Sequence, residues 1–213
     1  MTSCCDPRGC DRFFGDRFAS RAAKRYRARG LDRNAQRIVE FLEQRGIEDA
    51  TVLEIGGGVG EIQIELLKRG AAYAVNLELS PAYDAAARKL LRENGLERRV
   101  DRRLCDLAVD GDSVNPADVV VLHRVVCCYP DYELLLTAVA QHARRFVVFS
   151  HPPRNPISRL AVACANLRLR LQRKDFRAFV HPPAALLDVL EQNGLRPAFS
   201  HRGLVWHVAG LER

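Results

Sequence analysis

Thr51-Val-Leu-Glu-Ile-Gly-Gly-Gly-Val-Gly60 combines a buried strand, a glycine turn and the start of a helix. The β-branched and apolar residues before the glycines favour a strand, and Glu54 is the one charge near its carboxyl end. Gly56, Gly58 and Gly60 let the backbone turn sharply and approach a ligand where a Cβ atom would clash. The apolar run that follows predicts a helix whose free N–H groups face the turn. This stretch therefore predicts a ligand site at the end of the first strand.

Strands and helices continue to alternate along the chain. The predicted strands of this alternating region are Ala50–Ile55, Tyr73–Glu78, Val100–Cys105, Ala117–His123 and Arg145–Ser150. Alternation at this spacing predicts an α/β fold with a parallel sheet and right-handed crossovers. Towards the C-terminus, Arg196–His201 and Leu204–Leu211 predict a hairpin around Arg202-Gly203. Ligands of such sheets bind at the carboxyl ends of the strands, so residues that end strands are the first candidates for a site.

Acidic residues end three successive strands. Glu54 ends the first strand, and it would repel a pyrophosphate but suits a cationic or amine-bearing ligand. Glu78 lies twenty residues past Gly58, where a carboxylate can accept two hydrogen bonds from a ribose diol. Because a dinucleotide-binding domain also carries such an acid, Glu78 alone does not show which cofactor binds. Asp106 ends the third strand, and a dinucleotide fold requires no acid there.

The pattern Glu-x-Gly-x-Gly-x-Gly over residues 54–60 resembles motif I of the class I S-adenosylmethionine-dependent methyltransferases. The resemblance implies that the glycine turn lies beside the methionine part of the cofactor, whose amino group Glu54 would contact. It also implies that Asp106 faces the adenine amino group, with the neighbouring backbone amide on a ring nitrogen. The residues that the resemblance assigns to the cofactor are Tyr26, Glu54, Gly56, Gly58, Gly60, Glu78, Leu79, Asp106, Leu107 and His123.

A looser similarity points to the magnesium-protoporphyrin IX methyltransferase branch of this family. It rests on Tyr129-Pro130 after the fourth strand, on Arg177-Ala-Phe-Val-His181, and on Arg202-Gly-Leu before the last strand. The N-terminal Phe13-Phe14-Gly and the helix that carries Tyr26 are also similar. The resemblance implies a Rossmann-like seven-stranded sheet, mostly parallel with a C-terminal antiparallel hairpin, and helices on both faces. It also implies one domain over residues 1–213, with a helical cap at 1–46 and the core at 50–213.

Methyl transfer from a sulfonium is an in-line displacement, so the protein must align the nucleophile and exclude water. A carboxylate or thiolate nucleophile needs no base, whereas a phenol, alcohol or amine does. His123 and His181 are the candidates for that base, since imidazole titrates near neutrality. Tyr129 is the candidate for orienting the substrate. The alternative for each histidine is an ordinary hydrogen-bonded residue at a strand end or in a loop.

The formal charge of +7 is unevenly distributed. Residues 1–37 carry +6 and residues 154–177 carry +6, which leaves −5 for the rest of the chain. Basic flanks on an acidic core indicate an anionic substrate, an anionic membrane surface or nucleic acid, unless they are only a solvated arginine-rich surface. The helix from Leu160 to Lys174 is predicted either to cover the site or to lie on an anionic membrane. With no signal-peptide core and no spanning segment, a cytoplasmic location is expected.

Seven cysteines are many for such a chain, and Cys4-Cys5 and Cys127-Cys128 are adjacent pairs. No pair is spaced as a zinc site requires, so no resident metal is predicted. Cys105 and Cys164 have apolar neighbours in sequence and are predicted to be core residues.

Four functions compete at this stage. The leading hypothesis is a methyltransferase that uses S-adenosylmethionine to methylate a small anionic or hydrophobic molecule. An RNA methyltransferase is the second, although no RNA-binding module is recognisable and no nucleic-acid partner is expected. A third is a methyltransferase that depends on thiols and a soft ion, zinc or arsenite, and the fourth is a non-catalytic scaffold that binds the cofactor.

Overall fold

A computed structural model describes residues 13–213, which form one seven-stranded sheet with helices on both faces. The strands are β1 (Thr51–Ile55), β2 (Tyr73–Glu78), β3 (Val100–Leu104), β4 (Ala117–Leu122), β5 (Ala143–His151), β6 (Arg196–Arg202) and β7 (His207–Glu212). Their order in the sheet is β3-β2-β1-β4-β5-β7-β6. The pairs from β3 to β5 are parallel, and β7 is antiparallel to both β5 and β6. This confirms the predicted fold class.

Eight α-helices lie within the described residues. They are α1 (Asp16–Arg29), α2 (Arg33–Gln44), α3 (Glu61–Lys68), α4 (Asp84–Glu93), α5 (Leu107–Asp110), α6 (Tyr132–His142), α7 (Pro156–Leu171) and α8 (Pro183–Gln192). Over residues 13–213, none of the helices is long and apolar enough to cross a membrane.

Alternating side chains of the central strands divide the core into two layers. In β4, Val119 and Val121 join the cluster that contains residues of α1 to α4, whereas Val120 and Leu122 join the cluster of α5, α6 and α8. Successive residues of a strand point to opposite faces, so a strand buried on both faces needs a continuous apolar run. The sequence Val119-Val-Val-Leu122 supplies that run and accounts for the central position of β4.

The strand order reverses between β1 and β4. From β1 the chain moves outward to β2 and β3, and it then returns to pair β4 with the other side of β1. The turns that follow these strands diverge at such a reversal and leave a crevice at the carboxyl edge of the sheet. Glu54, Glu78 and Asp106 all reach this edge, as the sequence predicts.

Three expectations need correction. The predicted second strand of the hairpin begins too early, because residues 204–206 form a loop and the pair nearest the turn is Arg202 with His207. Cys164 is exposed on α7 and is not a core residue. Cys105 is only half-buried, although it packs against the α5–α6–α8 cluster. The adjacent pair Cys4-Cys5 lies outside the described residues.

Candidate active site

A cavity of about 370 Å³ opens at the carboxyl ends of β1, β2, β3 and β4. Its walls are the turns after these strands and one side of α1. The predicted site residues that line it are Glu54, Gly56, Gly58, Glu78, Leu79, Asp106, Leu107, His123 and Tyr129. Its volume falls within the ~300–1,000 Å³ of ordinary ligand pockets. The structure therefore brings nine of the predicted residues to a single cavity.

The glycine turn after β1 has no room for side chains. Gly56, Gly58 and Gly60 have φ values of 59°, 55° and 83°, a region that other residues adopt only with strain. A Cβ atom on Gly56 would lie 2.6 Å from Cγ2 of Val125, and one on Gly58 would lie 3.1 Å from Cε1 of Tyr83. Gly60 caps α3 and does not line the cavity. The turn thus presents bare backbone to the cavity.

The carboxylate of Glu78 links the glycine turn to the turn after β2. One oxygen accepts the backbone N–H of Gly58 at 2.8 Å. The other accepts the N–H groups of Leu79 at 2.8 Å and Ser80 at 3.2 Å. Three donors fix the orientation of this side chain, and the remaining lone pair, on the oxygen that binds Gly58, can still accept from a ligand.

Glu54 curls beneath the glycine turn and is buried, with 2% of its surface exposed. One oxygen accepts the backbone N–H of Gln63 at 3.3 Å, and the amide of Asn76 lies 3.5 Å from the same oxygen. Burial, followed by the nearby charge of Glu61, raises the pKa of Glu54 to about 8. A buried carboxyl with a raised pKa favours a positively charged ligand, which would stabilise its ionised form.

Asp106 and Tyr129 form a hydrogen-bonded pair on the β3 side of the cavity. The Tyr129 hydroxyl lies 3.1 Å from both carboxylate oxygens of Asp106 and donates to them. Asp106 also caps α5 by accepting the N–H of Ala108 at 3.1 Å. Tyr129 is therefore placed to orient Asp106.

His123 lies directly after β4, between two polar partners from distant parts of the chain. Its Nδ1 lies 3.0 Å from the hydroxyl of Ser150, and its Nε2 lies 3.6 Å from Oδ2 of Asp32. The Ser150 hydroxyl also accepts the backbone N–H of Arg124 at 2.9 Å. The Nε2 atom of His123 is buried and makes no hydrogen bond within residues 13–213.

Asp32 and Arg124 complete this cluster. The Arg124 guanidinium donates to Oδ2 of Asp32 at 2.8 Å and lies over the ring of Trp206. Although burial alone would raise the pKa of Asp32, the nearby imidazole of His123, the backbone N–H of Ala35 and the charge of Arg124 hold it well below its usual range. Arg124 adopts φ 62°, a strained conformation that is common at functional sites.

Besides Gly60, two predicted residues lie outside the cavity lining. The hydroxyl of Tyr26 donates to Glu65 of α3 at 2.6 Å, so it ties α1 to α3. His181 hydrogen-bonds through Nε2 to the carbonyl of Tyr129 at 2.9 Å, and its ring stacks on Phe179. Burial lowers the pKa of His181. This histidine holds the turn after β4 and does not face the cavity.

The side of α1 that faces the cavity mixes aromatic and basic residues. Phe18, Arg21, Ala22 and Arg25 line it, together with Phe14 just before the helix. Phe18, Ala22 and Arg25 follow one another at helical spacing, so one face of α1 contributes to the cavity wall. Arg25 pairs with Glu61 at 3.2 Å, whereas Arg21 has no acidic partner among residues 13–213.

Arg102 is a site residue that sequence reasoning missed. Its side chain is only 7% exposed, and one guanidinium nitrogen donates to the carbonyl of Gly58 at 3.0 Å. Its Nε lies 3.6 Å from Asp84, and two of its nitrogens make no hydrogen bond within the described residues. In the sequence Val100-Asp-Arg-Arg-Leu104 it resembles a solvated charge, so no local signal reveals it.

The adjacent thiols Cys127 and Cys128 lie 3.7 Å apart, and both sulfurs approach the carbonyl of Arg124 at 3.6 Å. Cys128 lines the cavity. A hydrogen bond from Cys128 lowers the pKa of Cys127. Among residues 13–213, no group of three or more side chains could hold a metal ion.

Comparison with known proteins decides the family of the chain. A family model described as a methyltransferase domain matches residues 23–198. The chain belongs to this methyltransferase family. It is an enzyme, and S-adenosylmethionine is its cofactor.

Solved structures share the fold at low sequence identity. Magnesium protoporphyrin IX methyltransferase from Synechocystis PCC 6803, solved with bound SAH, matches with a TM-score of 0.72 and 19% identity over 95% of this chain and 99% of that one. A putative O-methyltransferase from Nostoc punctiforme PCC 73102 matches with a TM-score of 0.70 and 16% identity over 93% of this chain and 59% of that one. These likenesses agree with the predicted class I methyltransferase fold.

A curated relative matches over a shorter stretch. The ribosomal protein L11 methyltransferase of Pasteurella multocida (strain Pm70) is 35% identical over 83 residues, which cover 39% of this chain and 27% of the relative. The chain thus matches about a quarter of the length of that relative.

Proposed function

We propose that this methyltransferase transfers the methyl group of S-adenosylmethionine to a small anionic acceptor with an apolar body. The observation that carries the proposal is the division of one cavity into two kinds of wall. Acidic strand ends and bare glycine backbone form the first wall, and the aromatic and basic face of α1 with the turn after β4 forms the second.

The first wall fits the cofactor. In this proposal Glu78 holds the ribose hydroxyls, Asp106 faces the adenine amino group, and Glu54 supplies a carboxylate for the amino group of the methionine part. The glycine turn lets bare backbone approach the cofactor, at positions where a Cβ atom would collide with Val125 or crowd Tyr83. When bound, the cofactor supplies an electrophilic methyl group on a sulfonium centre. Arg102, Tyr129 and Tyr26 act here as positioning residues that hold the turns and helix around it.

The second wall fits an anionic acceptor. Arg21 brings a positive charge to the cavity without an acidic partner in the described residues, and Phe14 and Phe18 offer apolar rings beside it. An aromatic and cationic wall binds a molecule that combines an apolar body with a carboxylate. The acidic first wall disfavours the same molecule, so the two ligands are kept in separate regions.

His123 would support the turn after β4 beside this acceptor. Its ring lies between Ser150 at Nδ1 and Asp32 at Nε2, and the Nε2 atom is buried. A carboxylate nucleophile needs no general base, so the proposed acceptor requires none from His123. His181 would support the turn after β4, since its Nε2 is already bound to the carbonyl of Tyr129.

Methyl-transfer assays test the proposal. The acceptor panel contains apolar carboxylic acids, porphyrin carboxylic acids among them, with their methyl esters as matched inert controls and bulk RNA as the rival substrate. We expect methylation of acids and not of esters, and Arg21→Gln should raise KM for the acid about tenfold without changing the affinity for S-adenosylmethionine. Arg98→Gln, at an exposed position outside the cavity, is the control. Methylation of RNA alone, or an unchanged KM for Arg21→Gln, would contradict the proposed acceptor class.

A further inference from the structure

Helix α7 carries an apolar stripe on its outward face. Ile157, Leu160, Leu167 and Leu171 are between 59% and 79% exposed, and the exposed Cys164 lies between them in sequence. These five positions follow one another at intervals of three, four, three and four residues, so they align along one side of the helix. Large apolar side chains that are exposed together in this way mark an interaction surface.

The opposite side of α7 attaches the helix to the protein. Leu169 is its one buried residue, and it packs with Phe176 against a small cluster. The side chain of Asn166 makes two hydrogen bonds with the backbone of Ala178, at 2.8 and 2.9 Å. At 100° per residue, Leu169 and Asn166 lie on the far side of the helix from the stripe. None of the residues of α7 lines the cavity, so the stripe does not belong to the active site.

Arginines border the stripe on both sides. By the same helical geometry, Arg159 and Arg170 flank one edge and Arg168 flanks the other. No acidic residue occurs in α7, and the surrounding segment 154–177 carries a charge of +6. An apolar stripe between rows of cations is the pattern of a helix that lies in the surface of an anionic membrane.

A second apolar feature lies at the same corner of the sheet. His207 pairs with His151, which precedes α7 by five residues. The hairpin loop just before His207 carries Leu204, which is 96% exposed, and Val205, which is 67% exposed. The start of α7 and the β6–β7 loop therefore both lie near the end of β5.

We propose that the outward face of α7, assisted by the β6–β7 loop, docks the enzyme on an anionic lipid surface. Charge complementarity selects this occupant over a second copy of the chain. Two copies packed stripe to stripe would bring like-charged arginine rows together without an acid on α7 to offset them. Lipid phosphates, by contrast, attract each arginine near the surface. The proposal is independent of which acceptor is methylated.

Vesicle flotation tests this docking with the whole protein. Vesicles of equal parts phosphatidylglycerol and phosphatidylcholine should carry the wild type, and vesicles of phosphatidylcholine alone should not. Leu160→Glu combined with Leu167→Glu should lower the partition coefficient at least about tenfold, and Arg168→Gln should lower it about fivefold. Val109→Glu combined with Leu134→Glu changes exposed apolar residues elsewhere and should partition as the wild type does.

Two further readouts keep the outcome interpretable. Trp206, the one tryptophan of the chain, follows Leu204-Val205, so its fluorescence should shift to the blue when anionic vesicles are added. Affinity for S-adenosylmethionine should be equal in all variants, which separates loss of docking from loss of the cofactor site. The proposal would be overturned if anionic vesicles did not bind the wild type. It would also be overturned if the protein formed a dimer without lipid and the combined Leu160→Glu and Leu167→Glu variant were a monomer, because the stripe would then be a dimer interface.

Discussion

At the scale of single residues, the site depends on how each carboxylate is surrounded. Glu78 is held by three backbone donors, whereas Glu54 has one backbone donor at 3.3 Å and a distant amide. Burial raises the pKa of both carboxyls. At Glu78 three backbone N–H groups oppose that rise by stabilising the charged form, whereas at Glu54 only one does.

Replacing Glu78 by Gln should weaken S-adenosylmethionine binding about ten- to hundredfold, or ~1.5–3 kcal/mol. An amide has a single acceptor oxygen, and its NH2 group would face backbone N–H groups that it cannot satisfy. Calorimetric titration measures the affinity, and Glu97→Gln, at an exposed position, is the matched control. Equal affinity in the two variants would show that Glu78 does not contact the cofactor.

Glu54 should couple cofactor binding to proton release. Its folded pKa of about 8 exceeds the ordinary 4.5, so the folded chain binds more protons and its stability falls as pH rises between those values. A cationic ligand amino group would lower this pKa and expel the proton near pH 7. Calorimetry in buffers of different ionisation enthalpy should detect the release in wild type but not in Glu54→Gln. Identical proton counts in the two proteins would remove Glu54 from the contact.

The sequence predicts some of these residues and not others, for a physical reason. Glu54, Glu78 and Asp106 end strands, and strand ends of a parallel sheet can be located from local patterns. Asp32 shows only as a helix cap, although it also binds Arg124 across 92 positions of the chain. Ser150 also has no local signal in the sequence, because it contacts His123 only once the fold brings the ends of β4 and β5 together.

At the scale of elements, the glycine turn shapes the cavity. Gly56→Ala should weaken cofactor binding more than tenfold, because the new methyl group would collide with Val125 and the left-handed backbone would be strained by ~1–2 kcal/mol. Gly95→Ala is a matched control, since Gly95 also has positive φ, 67°, but nothing lies within 4 Å of its Cβ position. It should lose stability by about 1 kcal/mol and keep full affinity. Thermal unfolding and calorimetry separate the two effects, and equal affinities would contradict the role of the turn.

Elements with regular patterns match their predictions closely, and β2 has the predicted bounds, Tyr73–Glu78. The β6–β7 hairpin differs because an apolar run alone indicated a strand, while pairing partners decide where a strand begins. Leu204 and Val205 find no partner within the described residues and stay exposed. The short helix α5 was not predicted, since its first turn is set by the cap at Asp106.

At the scale of the whole molecule, α1 closes the cavity over the sheet. Two side-chain contacts join it to α3, Arg25 with Glu61 and Tyr26 with Glu65. A further hydrogen bond runs from the hydroxyl of Ser80 to the carbonyl of Phe14. Arg27 also ties α1 to Glu93 of α4 at 2.7 Å. Because α1 contributes only three buried residues, Ala19, Ala23 and Tyr26, it should still open more readily than the central strands.

Cofactor binding should therefore slow hydrogen exchange in residues 16–29. At 100 times the dissociation constant, the slowing should approach a hundredfold, or ~2.7 kcal/mol, if opening of α1 releases the ligand. Exchange in the exposed loop 203–206 should stay unchanged, and Glu78→Gln at the same ligand concentration should show little protection. Protection confined to the strands would mean that α1 opens while the ligand stays bound. The cofactor would then be held without the help of α1.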